Sequence, residues 1–249
     1  MTEVLYGRNP VRESLRAGRR RHERLLLAES IRGSAVIDEI VGLAEGAGIP
    51  VDRVGRGQLG VKEGAHGQGV ALETSAYPLV PLDALMELAR SRGEDALLLM
   101  LDLLQDPQNA GTLLRTAEAV GVHGIVVQRR RAVGITPAVV KASAGAVEHL
   151  LVCQVTNLVN TMSELKEQGL WVAGLEAVPE AEGFTRADLS GPLALVVGSE
   201  GAGMRRLVRE RCDFLVRLPM RGEVSSLNAA VAASVVLYEV VRQRGAKAR

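Results

Sequence analysis

Three short segments of this 249-residue chain carry residue types that could act together on a ligand. The first is Asp106-Pro107-Gln108-Asn109-Ala110-Gly111-Thr112-Leu113-Leu114-Arg115. Asn109 is a candidate helix cap there, and Arg115 would follow about a turn and a half further on. The second is Gly198-Ser199-Glu200-Gly201-Ala202-Gly203-Met204. Its glycines would let backbone approach a ligand closely, and a following helix would offer free N–H groups. Glu200 inside that run would repel a phosphate, so a neutral or cationic ligand is expected rather than a nucleotide polyphosphate. The third runs from Leu218 through Pro219-Met220-Arg221-Gly222-Glu223-Val224-Ser225-Ser226-Leu227 to Asn228, directly into a long terminal helix. Ser225 or Ser226 is expected to cap that helix, with Asn228 in its first turn.

Each segment alone reads equally well as a plain helix start, so the elements that carry them decide. From residue 96 onward, continuous apolar runs at 96–101, 124–127, 150–155, 170–175, 193–197 and 214–218 read as strands covered on both faces. Helical patterns lie between them at 110–120, 137–146, 158–167 and 204–211, and a last one spans 226–244. The alternation predicts a doubly wound α/β domain with a parallel sheet. All three segments then follow strands, on the carboxyl edge where such sheets bind ligands. Residues 1–75 have a different texture, with short Gly-interrupted segments. A helix at 9–16, a strand at 24–28, a helix at 37–47, a strand at 50–54 and a glycine-rich closure at 64–72 suggest a small α/β module. Residues 76–95, with Tyr77, Pro78, Pro81 and a helical stretch at 82–92, read as the linker.

Other chemistries are excluded. The glycine loop lacks the dinucleotide-binding spacing and position, and no GKS or GKT completes a P-loop. No nucleophile elbow or HExxH occurs. His22, His66, His123 and His149 have no metal-ligand spacing, so no metal is expected. Cys153 and Cys212 are far apart, which fits buried thiols in a reducing cytosol. With 47% apolar and 24% charged residues the chain can bury a core, which excludes disorder. Three Tyr, two Phe and one Trp are too few for a dense base-stacking platform. Net charge is only +1, yet the 30 basic residues include just four Lys, and the arginine fork suits phosphate and base edges. The runs Arg129-Arg130-Arg131 and Arg205, Arg206, Arg209, Arg211 are either solvated faces or RNA contacts. No apolar stretch reaches the roughly 20 residues of a membrane span, and no signal-peptide pattern opens the chain, so a soluble cytoplasmic protein is expected.

The segments DPQNAGTLLRTAEAVG, LVVGSEGAGM and LPMRGEVSSLNAAVAASVVLYE resemble, in order and spacing, the three motifs of the SpoU (TrmH-type) RNA 2'-O-ribose methyltransferases. Tyr6-Gly7-Arg8-Asn9-Pro10-Val11 and His66-Gly67-Gln68-Gly69-Val70 resemble that family's N-terminal substrate-binding domain. The resemblance spans nearly the whole chain. It implies a SPOUT fold with a deep C-terminal trefoil knot at 96–249, preceded by a small L30e-like RNA-binding domain. It implies S-adenosylmethionine as methyl donor, RNA as substrate and a homodimer. Position by position, it assigns Asn109, Arg115, Glu200, Ser226 and Asn228 to catalysis, and Gly198, Leu218 and Leu227 to the cofactor. Its RlmB-like subgroup implies a guanosine of 23S ribosomal RNA as target, with transfer RNA, or an RNA-binding factor without turnover, as alternatives. Arg16, Arg19, Arg20 and Arg21 are expected to contact the RNA backbone.

Overall fold

The computed structural model describes residues 2–61, 67–130, 134–224 and 226–247. The chain separates into two units: Met1–Pro78 with Ile135–His149, and Leu79–Gly134 with Leu150–Arg249.

In the first unit, β1 (Thr2–Tyr6), α1 (Arg8–Ala17), β2 (His22–Ala28), α2 (Ala35–Gly46), β3 (Val51–Val54) and β4 (Val70–Ser75) follow one another. The sheet order is β1-β4-β2-β3, antiparallel except for the parallel β2–β3 pair. Leu25, Leu26 and Leu27 of β2 are all buried, which is why this run reads so clearly as a strand. Strand β1 has no counterpart in the sequence pattern; its five residues run straight into Gly7, whose φ of 97° turns the chain into α1. His66, Gly64 and the start of the 64–72 closure lie outside the described residues.

The second unit begins with α3 (Leu82–Arg92), β5 (Leu97–Leu101), α4 (Pro107–Ala119) and β6 (Gly124–Gln128). The crossover that follows, α5 (Pro137–Ala142) and a 3₁₀ turn at Ala146–His149, is grouped with the first unit. The helix expected at 137–146 is thus broken, at Ala144 and Gly145, which both adopt positive φ. Then come β7 (Val152–Val155), α6 (Leu158–Glu167), β8 (Trp171–Leu175), β9 (Glu182–Gly183), β10 (Leu193–Val197), α7 (Arg206–Arg211), β11 (Phe214–Arg217) and α8 (Ala229–Lys247). The strands pair in parallel in the order β7-β6-β5-β10-β8-β11-β9, with the fully buried β5 and β10 near the middle. The expected α/β class and parallel sheet are therefore present. The two-residue edge strand β9 is too short to leave a periodic signal. The segment read as a linker contributes α3 to the core: Leu85 and Met86 pack with Leu98, Met100 and Val126. Gly124 is required beneath it, since a Cβ there would lie 2.5 Å from Leu85. Among the described residues no helix is long and apolar enough to cross a membrane.

Two helix starts differ from expectation. Asp106, not Asn109, caps α4: its carboxylate accepts from the Asn109 N–H at 2.9 Å, and Pro107 takes the first helical position. Asn228 itself caps α8, its Oδ1 accepting from Ala230 N–H (3.0 Å) and Val231 N–H (3.2 Å). Ser226 lies upstream in an exposed loop, and Ser225 is outside the described residues.

Arg20 also departs from its expected role. Its side chain is fully buried and donates to both Glu148 oxygens (2.8–3.1 Å) and to Glu3 at 2.7 Å. Burial opposes its charge, but the Glu148 and Glu3 carboxylates outweigh that and raise its pKa. Arg20 therefore holds the first unit together and does not face an RNA strand. Arg16 pairs with Glu13 and Glu39, whereas Arg21 is exposed beside Glu23. Arg19 donates to the Tyr77 hydroxyl at 2.9 Å.

Candidate active site

Parallel registry brings the key loops to one edge. Leu101 pairs with Val197, Val197 with Leu175, and Leu175 with Val216, so the chain leaves four adjacent strands side by side. A cleft of about 500 Å³ opens among these exits. Gly198, Glu200, Leu218, Ser226, Leu227 and Asn228 all line it.

The glycine loop closes on itself. Ser199 and Gly203 exchange two backbone hydrogen bonds of 3.0 Å, and Gly201 and Gly203 take φ of 77° and 67°. A Cβ on Gly198 would fall 2.3 Å from the Gly203 carbonyl carbon, so the missing side chain permits this reversal. The expected free helix N-terminus after the loop is otherwise engaged. The buried Asp102, at the end of β5, accepts from Arg205 N–H and Arg205 Nε, both at 2.8 Å. Arg205 also donates to Gln128 at 2.9 Å, which ties the loop's exit to the ends of β5 and β6.

The three segments meet at Asn228. Its Nδ2 donates to Asn109 Oδ1 at 2.8 Å and to Glu200 Oε1 at 3.0 Å. Because its Oδ1 is committed to capping α8, the amide orientation is dictated: the NH2 must face Asn109 and Glu200. One side chain thus fixes a helix start, an amide 119 positions away and a carboxylate 28 positions away. Arg115 lies about 9 Å along α4 from Asn109, is exposed, and is not brought to the cleft lining of this chain.

Asp102 and Arg205 hold the site together and Glu176 lines it, yet no motif reading assigns them to it. The available signal is positional, since Asp102 and Glu176 each follow immediately on an apolar strand. Glu176 lines the cleft, and burial raises its pKa while Arg209, 3.7 Å away, opposes the shift. Both cysteines are free, and burial pushes the Cys212 thiol up to about 12. Of the basic runs, Arg206 pairs with Glu210, Arg129 and Arg130 are exposed, and Arg131 is outside the described residues.

A parallel α/β sheet whose carboxyl-edge loops close around a cleft lined by Glu176, Glu200 and Arg217 defines the class of α/β domains that bind a ligand beyond their strand ends. The profile of the SpoU rRNA Methylase family matches residues 96–238, and that of the RNA 2'-O ribose methyltransferase substrate binding domain matches residues 4–80. The chain belongs to the SpoU family of methyltransferases. It is 46% identical over 242 residues to YacO of Bacillus subtilis, named for the TrmH family of tRNA/rRNA methyltransferases, covering 97% of this chain and 96% of that one. A protein of the same naming from Staphylococcus saprophyticus is 41% identical, with 97% and 96% covered. The SpoU methyltransferase AviRb of Streptomyces viridochromogenes, crystallised with AdoMet, superposes with a TM-score of 0.81 at 25% identity, covering 98% of this chain and 91% of that one. The protein is accordingly an S-adenosylmethionine-dependent RNA methyltransferase with an N-terminal substrate-binding domain.

Proposed function

We propose that the cleft holds S-adenosylmethionine and that the protein methylates the 2'-oxygen of a ribose in RNA, with a guanosine of 23S ribosomal RNA as its target. The observation that carries this reading is the convergence of Asn109, Glu200 and Asn228 on the rim of one cleft. The residues of the cleft suit the cofactor: Glu200 favours a cationic sulfonium compound, and Gly198, Leu218 and Leu227 offer backbone and apolar surface to its nucleoside. When bound, the cofactor supplies a methyl group already activated on positive sulfur.

The chain's own task is to orient the sugar and stabilise the oxygen that loses its proton. Good alignment can contribute roughly 7–11 kcal/mol to such a transfer. Asn109 and Glu200, locked by Asn228, present an amide NH2 donor and a carboxylate of defined direction to the ribose. Ser226, exposed on the same rim, orders the loop that precedes Asn228. Arg115, which this chain does not bring to its own cleft, is assigned to the target phosphate and to negative charge on the 2'-oxygen rather than to taking the proton, because a guanidinium with a pKa above about 12 is a poor base. Two further features belong to this reading. In this reading the C-terminal chain is threaded as the family's knot, with α8 packed on α4 and Ser234 Oγ 2.9 Å from Thr116 Oγ1. Exposed Val231, Val235, Tyr238 and Val241 on α8 support a homodimer, which would act in the cytoplasm.

The test is transfer of a tritiated methyl group to 23S fragments and to transfer RNA, followed by alkaline hydrolysis. A 2'-O-methyl group blocks attack on the adjacent phosphodiester, so label should remain in an alkali-resistant dinucleotide beginning with guanosine. Label released in mononucleotides would reject ribose methylation, and label confined to transfer RNA would reject the ribosomal target.

A further inference from the structure

Glu176 is the feature of the cleft that the motif residues leave unexplained. It follows β8 directly, so it stands across the β10 exit from the loop that carries Asn109. Its Oε1 faces Gly203, where a Cβ would lie only 3.1 Å from it, and is 3.7 Å from Arg209. Its Oε2 is shielded from solvent and has no hydrogen-bond partner among the described residues. Leaving a buried acceptor of this kind unmet is costly, and a bound donor would recover that cost. Arg209 already supplies a cation near the group, so what Oε2 lacks is a hydrogen-bond donor rather than a second positive charge.

Resting on the cofactor assignment of this cleft, we infer that the Glu176 carboxylate accepts hydrogen bonds from the ribose hydroxyls of the methyl donor and so selects a ribonucleoside donor over a deoxy one. A carboxylate has two oxygens and about four acceptor positions, which suits two neighbouring hydroxyl donors. A side chain at position 203 would crowd this carboxylate, so the bare glycine loop and Glu176 form one subsite.

Calorimetric titration of the intact protein and of Glu176→Gln separates the possibilities. The ligands are S-adenosylhomocysteine, methylthioadenosine (no amino-acid tail) and 2',3'-dideoxy methylthioadenosine (no hydroxyls). Glu176→Gln is expected to weaken the first two equally, by about tenfold or more, the scale of one charge-assisted hydrogen bond. The dideoxy compound should bind both proteins with the same reduced affinity. Glu176→Asp, which retracts the carboxylate, should fall between them on the hydroxylated ligands. Unchanged binding of S-adenosylhomocysteine by Glu176→Gln would overturn the inference while leaving the cleft assignment intact. So would a loss seen only with the amino-acid tail, or one that persists for the dideoxy ligand. Failure of the unmutated protein to bind any of the three would overturn both.

Discussion

Asn228 does two separable things, and a single substitution can separate them. Its Oδ1 caps α8, while its Nδ2 bridges Asn109 and Glu200. Asn228→Asp keeps the cap but replaces a donor with a carboxylate facing Glu200. Methyl transfer should therefore fall by about 100-fold, comparable to losing one preorganised polar group, while the melting temperature stays within a few degrees. Asn228→Ala should also lose about 1 kcal/mol of stability with the cap. Equal activity in Asn228→Asp would remove the bridge from the mechanism. Arg115 is tested by its pH profile. If it clamps the phosphate, Arg115→Lys should lower kcat by about 10- to 100-fold and leave the alkaline limb in place. A retained rate with a shifted alkaline limb would mean that the guanidinium takes the proton.

The elements hold these residues through contacts at their ends. His123, buried just before β6, accepts from Leu97 N–H at Nδ1 (3.0 Å) and lies 3.0 Å from Glu94 through Nε2. Burial lowers its pKa, with Glu94 opposing. The unfolded chain therefore binds this proton more readily than the folded one. The stabilisation is complete above the ordinary imidazole value of about 6.5 and disappears as pH falls through the lower folded-state value. Thermal denaturation from pH 7.5 to 5 should show a falling melting temperature, and His123→Gln should flatten that fall. The strands themselves are legible from sequence because runs such as 97–101 and 193–197 are buried along their whole length. So is the convergence of Gly198, Glu200 and Asn228 at one cleft, which follows from strands being parallel. The caps are not legible: Asp106 and Asn109 are both good capping residues, and only the Pro107 register favours the earlier one. Nor can texture show that Arg20 is buried, since its partner Glu148 lies 128 positions away.

At the scale of the molecule, α8 leaves an apolar stripe exposed. Val231, Val235, Tyr238 and Val241 recur at helical spacing and are 40–58% exposed. Lone exposed apolar residues are ordinary, but four aligned on one helix form the surface that the proposed homodimer would bury. Val235→Glu with Tyr238→Glu should convert a dimer to a monomer in analytical ultracentrifugation, with the far-ultraviolet circular dichroism unchanged. A parent protein that sediments as a monomer at micromolar concentration would rule the dimer out.

The discontinuous first unit sets a rule for anyone who recombines members of this family. Swapping residues 1–78 alone would separate Arg20 from Glu148, which arrives with residues 135–149. Left with Glu3 alone, the buried guanidinium loses its bidentate partner, at a cost of up to about 3–5 kcal/mol, a large fraction of a domain's stability. A viable chimera must therefore be spliced at three junctions rather than one, with the 135–149 crossover travelling as cargo of the substrate-binding half.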